Sequence, residues 1–210
     1  MNNSIKIRRM AGMAILIAVA IILQFIATYV KFGPLEINLG LIAIAIGGFL
    51  YGPLYGMIIG VVVGVVICVS PATIQFFMLF DTVHPWISII ITIVLCLAKT
   101  GIAGLVSGYV FKVLKKFNFT FASIASTLLI PIINTGIFIV GVLVYFLPIY
   151  GNAGGLFAAI FTTNLLVEVC IVSILSPVIA YLVRILSKNR NLGFSLWWKI
   201  TDLKLWSGID

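Results

Sequence analysis

The sequence predicts an all-α, polytopic membrane protein of six transmembrane helices with both termini on the cytoplasmic side. Three observations lead there. The 210 residues are 63% hydrophobic and only 9% charged, with a mean hydropathy of +1.30. An ordinary soluble domain carries about 25% charged residues, and one of this size lacks the interior to hide so much apolar side chain. The apolar residues fall into six runs separated by short polar or Gly/Pro breaks. The basic residues cluster at breaks that lie on one side of such a bundle.

The first run, Met10 to Val30, follows the basic start Lys6, Arg8 and Arg9. It is long enough to span and has no small-residue cleavage site, so it reads as a helix and not as a signal peptide. Lys31, Gly33, Pro34 and Glu36 break it. The second run, Leu39 to Leu50, is short and ends at the Gly-Pro turn of Tyr51–Gly56 (YGPLYG). The third, Met57 to Val69, follows Gly56 and holds Gly60 and Gly64, a four-residue spacing that lets a neighbouring helix approach closely. Ser70 to Pro85, too apolar for a free loop, is expected to be a re-entrant or interfacial segment.

The fourth run is Trp86 to Leu114, with Gly101, Gly104 and Gly108 inside it and Lys112, Lys115 and Lys116 at its end. The fifth is Phe119 to Leu147, where Pro131 is expected to kink the helix. The sixth is Leu156 to Leu186, with Pro177 inside. Residues 1–186 thus form one six-helix domain. The tail 187–210 interleaves Trp197, Trp198 and Trp206 with Lys199 and Lys204, which suits an interfacial helix in the headgroup zone.

Orientation follows from charge. With the N-terminus inside, eleven of the 13 basic residues are cytoplasmic; Lys31 falls outside and Lys99 falls within the membrane. An odd number of spans would split these clusters, and cytoplasmic loops collect Lys and Arg. The net charge of +8 therefore reflects topology and gives no reason to expect nucleic acid. Cys68, Cys96 and Cys170 lie in apolar runs with no CxxC or Cys/His pairing, so neither a disulfide nor a metal site is expected.

Polar groups inside a bilayer are costly and each needs a reason. At about 1.5 Å per residue, Lys99, Asn134 and Glu168 reach similar mid-membrane levels on the fourth, fifth and sixth helices. Asn164 lies one turn outward of Glu168 and shares its face. Two readings are open: a buried Lys99–Glu168 ion pair that fixes packing, or a pocket in which Lys99 holds an anionic or carbonyl group of a small solute. Asp81 and His84 are placed to cap such a pocket from outside. Trp86 is a candidate for its mouth, though a belt tryptophan explains it equally. Asn38, with Glu36 beside it, is either an N-cap of the second helix or a ligand contact.

Enzyme signatures are missing. No HExxH, GxSxG, Walker or aspartate-rich motif occurs, and a single His and five acids leave intramembrane catalysis few players. No cofactor is expected, and no nucleotide-binding stretch lets the chain power transport alone.

Several segments together resemble the substrate-binding S components of energy-coupling factor (ECF) vitamin transporters, over nearly the whole chain. They are Leu39–Gly48 (LGLIAIAIGG), Tyr51–Gly56 (YGPLYG), Leu97–Gly104 (LAKTGIAG) and Asn134–Gly136 (NTG), set in six helices with a short second one. The resemblance implies a multi-pass protein of a prokaryotic cell membrane that binds a vitamin from outside. It implies docking on a transmembrane coupling subunit carrying two cytosolic ATPases, whose hydrolysis topples the S component in the lipid. It further implies a docking face on the first three helices with an Ala-x-x-x-Ala pattern, matched here by Ala14 and Ala18 and extended by Ala11. Gly60 and Gly64 are expected to complete that smooth face, with the binding residues on the other half. Lys99 favours a carboxylate-bearing vitamin, and the pattern leans to the pantothenate type. Riboflavin is the nearest competitor, and folate and biotin also carry carboxylates. The reading from another class is a stand-alone, proton-coupled secondary transporter of a small organic anion using Lys99 and Glu168. A third is an assembly protein with no solute.

Overall fold

The computed structural model describes residues 3–29, 31–32, 35–36, 38–71, 73–74, 85–146, 148 and 152–188. Among them are six long or medium helices: α1 (Asn3–Tyr29), α2 (Gly40–Tyr51), α3 (Pro53–Cys68), α4 (Pro85–Leu114), α5 (Phe119–Gly141) and α6 (Asn152–Lys188). A short antiparallel ladder pairs β1 (Lys31–Phe32) with β2 (Leu35–Glu36), in register Lys31 to Glu36 and Phe32 to Leu35, between α1 and α2. Apart from it the regular elements among the described residues are helical.

Among the described residues four helices are long and apolar enough to cross a membrane: Met10–Thr28, Trp86–Leu114, Phe119–Tyr145 and Thr163–Ser187. Helices α2 and α3 are shorter apolar helices of 12 and 16 residues, roughly 18 and 24 Å long at 1.5 Å per residue. Many large apolar side chains face outward, among them Ile15, Ile22, Val65, Ile90, Val144 and Ile174. A surface of that kind suits lipid.

The shortest helix sits at the centre. Nearly every residue of α2 is buried, and it touches all five other helices. The stack of Phe49 on Phe111, with ring centroids 4.3 Å apart, joins α2 to α4. Phe119 meets Phe111 edge-on at 5.6 Å and brings in the start of α5. Tyr51 is buried too, and its hydroxyl fills the space that a side chain on Gly12 of α1 would need.

The sequence suggests a six-residue turn at Tyr51–Gly56, but the chain reverses through Gly52 alone. Gly52 has φ 111°, a conformation that costs glycine little because it lacks a Cβ. Pro53 then occupies the first turn of α3, where its missing N–H is no loss. The result is a tight α2–α3 hairpin, in which a Cβ on Gly56 would lie 3.0 Å from the Gly48 Cα.

The glycines of α3 pack on α4, in the most extensive helix pair of the fold. A Cβ on Gly60 would collide with the Thr100 carbonyl, and one on Gly64 would lie 2.8 Å from the Cys96 carbonyl oxygen. From the other side, a Cβ on Gly108 would lie 2.8 Å from the Pro53 Cα. The two small-residue stripes read separately from the sequence are thus one interface. This corrects the assignment of Gly60 and Gly64 to a partner-docking face: both are buried against α4, because only glycine allows two backbones this close.

Both internal prolines lie within continuous helices. At Pro177 the carbonyl of Ser173 loses its usual N–H donor, and the Ser176 hydroxyl donates to it at 3.0 Å instead. Helix α5 continues past Gly141 into a π-helical turn, Val142–Phe146. Its start is capped by Asn118, whose Oδ1 accepts from the Thr120 and Phe121 amides.

Candidate functional site

The site is built on one face of α5. Asn134, Thr135 and Phe138 lie within about one turn and share an arc of its surface. Phe138 faces α4, where the Lys99 ammonium sits 4.4 Å from its ring centroid, within range of a cation–π contact. Thr135 faces α6, where its hydroxyl donates to Glu168 Oε2 at 2.8 Å. Asn134 is 2% exposed and Glu168 3% exposed. Three helices therefore converge on this level, as the counting of turns along the sequence predicts.

The two charges are not paired. Among the described residues no ion pair joins Lys99 to Glu168. The structure therefore does not display the packing-only ion pair left open by the sequence. The side-chain oxygens Oδ1 of Asn38, Asn134 and Asn164 are buried and have no hydrogen-bond partner. Buried polar atoms are seldom left so, and of the three Asn38 lines a crevice together with Glu168.

A narrow crevice lies between Glu168 and the start of α2. Asn38, Leu39 and Ile42 line one wall; Glu168, Ile171 and Leu175 line the other. The crevice brings Asn38 to Glu168, across the boundary between the first three helices and the last three.

Asn38 does not cap α2 through its side chain. Leu39 is the N-cap, with no side-chain cap bond. The amide of Gly40 donates instead to Gln24 Oε1 of α1 at 3.1 Å. Gln24, only 5% exposed, holds the N-terminus of α2 from a neighbouring helix and leaves the Asn38 amide facing the crevice.

Of the other residues named from sequence, Trp86 is 76% exposed, far up α4 from Lys99, and is not brought to the cluster. Asp81 and His84 lie outside the described residues, as do most of the expected re-entrant segment and of the interfacial tail beyond Lys188. Glu36 lies on β2. Ala11, Ala14 and Ala18 are exposed along α1. Among the described residues, no group of three or more His, Cys, Asp or Glu that could hold a metal ion is present.

Thr135 and Phe138 were not singled out by the sequence reading. The hint for Thr135 was its place beside Asn134 on an otherwise apolar helix. Phe138 carried no signal, since an aromatic four residues from Asn134 reads as ordinary packing.

Comparison with known proteins gives one positive result. Residues 8–180 match the family model of the ECF transporter, substrate-specific component. No curated protein and no solved structure matches the chain.

Proposed function

Because the chain belongs to the family of ECF transporter substrate-specific components, we propose that it captures a vitamin-sized solute from outside the cell. It delivers the solute inward by docking on a transmembrane coupling subunit driven by two cytosolic ATPases. The family match over residues 8–180 carries this reading. The buried Asn134, Thr135 and Glu168, with the half-buried Lys99 near them, support it, because a bilayer-embedded protein keeps such groups for a purpose. In this reading all six helices cross the membrane of a prokaryotic cell. Both termini are cytoplasmic, in keeping with the basic residues at the ends of α1, α4 and α6. The protein performs no catalysis of its own and needs no cofactor. Lys99 is available for a carboxylate, which favours pantothenate over riboflavin as solute.

The test is uptake of radiolabelled pantothenate in cells lacking their own uptake system. Uptake only when the coupling subunit and both ATPases are co-expressed supports the proposal. Uptake without them, abolished by collapsing the proton gradient, would show a stand-alone secondary transporter. Replacing pantothenate by riboflavin, biotin or folate in the same assay identifies the vitamin separately from the mode of transport.

A further inference from the structure

Cys68 and Cys96 lie in separate apolar runs and belong to no cysteine motif, yet the fold brings them together. Helices α3 and α4 run antiparallel: Gly56 packs on Gly104, Gly60 on Thr100 and Gly101, and Gly64 on Cys96 and Leu97. Cys68 lies one turn beyond Gly64, on the face of α3 turned to α4. Cys96 lies one turn before Thr100, whose Oγ1 is 2.7 Å from a Cβ placed on Gly64, and so faces α3. Side chains tilt towards the N-terminus of their own helix, so on antiparallel neighbours these two lean towards each other. The thiols are hydrogen-bonded to one another, and both are free. Cys96 is 1% exposed, and the half-buried Cys68 packs against the same core.

We infer that Cys68 and Cys96 are an oxidisable dithiol, which closes into a disulfide across the α3–α4 seam. A disulfide requires converging side chains, with Cβ atoms about 3.5–4.5 Å apart, and the glycine seam lets the two helices approach to main-chain contact one turn away. The oxidant is a small disulfide. One protein thiolate attacks its S–S bond, forms a mixed disulfide and releases a thiolate, which takes up the first proton. The second protein sulfur then attacks the first. The bond between Cys68 and Cys96 forms as the mixed disulfide breaks, and a second thiol leaves with the second proton. Two protein thiols are thus oxidised by two electrons, and the reagent is reduced to two thiols. The closed form adds a covalent tie at the end of the seam, which a reductant releases. Cys170, exposed on α6, takes no part.

The experiment uses the reduced full chain with Cys170→Ser, a change at an exposed position, in lipid nanodiscs. The probe is dithiodipyridine, an apolar disulfide that enters lipid and whose released thiopyridone is followed by absorbance. Both remaining thiols should be consumed, with no pyridyl group left on the protein by intact mass and no dimer on a non-reducing gel. Dithiothreitol should restore both thiols. If Cys170→Ser does not fold, the wild-type chain gives the same reading with a single pyridyl group, on Cys170. In the folded protein the second thiopyridone should follow the first at least about tenfold faster than in chain first unfolded in SDS, because folding has already closed the loop between the two cysteines. Pyridyl groups retained on Cys68 and Cys96 overturn the inference, as do thiols that stay unreacted. A disulfide-linked dimer, or equal rates in folded and unfolded chain, also overturns it.

Discussion

The Thr135 hydroxyl of α5 donates to the Glu168 carboxylate of α6 across 2.8 Å, with Glu168 only 3% exposed. This bond fixes the carboxylate's orientation and ties α5 to α6. Removing the hydroxyl with Thr135→Val, nearly isosteric, should lower thermal stability by about 1.5–3 kcal/mol, the usual worth of a hydrogen bond to a charged group. Thr135→Ser should restore most of it. Thermal unfolding in detergent followed by fluorescence makes the comparison, and equal melting of wild type and Thr135→Val would refute the assignment.

Gly60 is the tightest test of the α3–α4 interface. A methyl group there meets the Thr100 carbonyl, which as main chain in the middle of a helix has nowhere to go. Gly60→Ala should cost about 1–3 kcal/mol through overpacking. Gly136→Ala, where nothing lies within 4 Å of the added carbon, should be tolerated. Yield and monodispersity on size-exclusion chromatography report both.

Gln24 supplies the cap that α2 lacks in its own sequence. Gln24→Leu leaves the Gly40 amide without its acceptor, at a cost of about 1–2 kcal/mol, typical of a lost N-cap. The effect should appear as faster hydrogen exchange confined to the first turn of α2. Exchange unchanged at Gly40 and Leu41 would mean that some other group caps the helix.

Ser176→Ala should reveal how α6 tolerates Pro177. Without the Ser176 hydroxyl, the Ser173 carbonyl has neither the N–H that proline lacks nor the side-chain donor that replaces it. A loss of about 1 kcal/mol is expected, and Ser176→Thr should preserve stability.

The exposed alanines of α1 give the last prediction. If Ala14 and Ala18 form the contact with the coupling subunit, Ala14→Trp with Ala18→Trp should abolish co-purification of that subunit, because bulk prevents close helix approach. Solute affinity measured on the isolated protein should remain unchanged. Co-purification at wild-type levels would place the docking face elsewhere.

Much of this architecture is legible in the sequence because bilayer-embedded segments advertise their length and their intruders. Lys99, Asn134 and Glu168 stand out against apolar runs, and counting turns at a fixed rise puts them at one level. What the sequence conceals is partnership. The stripe of Gly56, Gly60 and Gly64 looks the same whether its mate is another protein or α4, since a gap between helices carries no label. Gln24 capping α2 and Phe138 beneath Lys99 are contacts between distant stretches of chain, and neither residue departs from its surroundings enough to be noticed. The turn at Gly52 was overestimated for a different reason. A Gly-Pro pair announces a break, but its brevity depends on how closely α2 and α3 pack, which Gly48 and Gly56 decide together.

The α3–α4 seam has a mechanical consequence. Sliding between helices normally proceeds by side chains changing rotamers past one another, but at Gly56, Gly60 and Gly104 main chain faces main chain at close range. A shift along the seam would drive the Thr100 and Cys96 carbonyls into the α carbons of Gly60 and Gly64. The seam therefore joins α3 to the helix that carries Lys99.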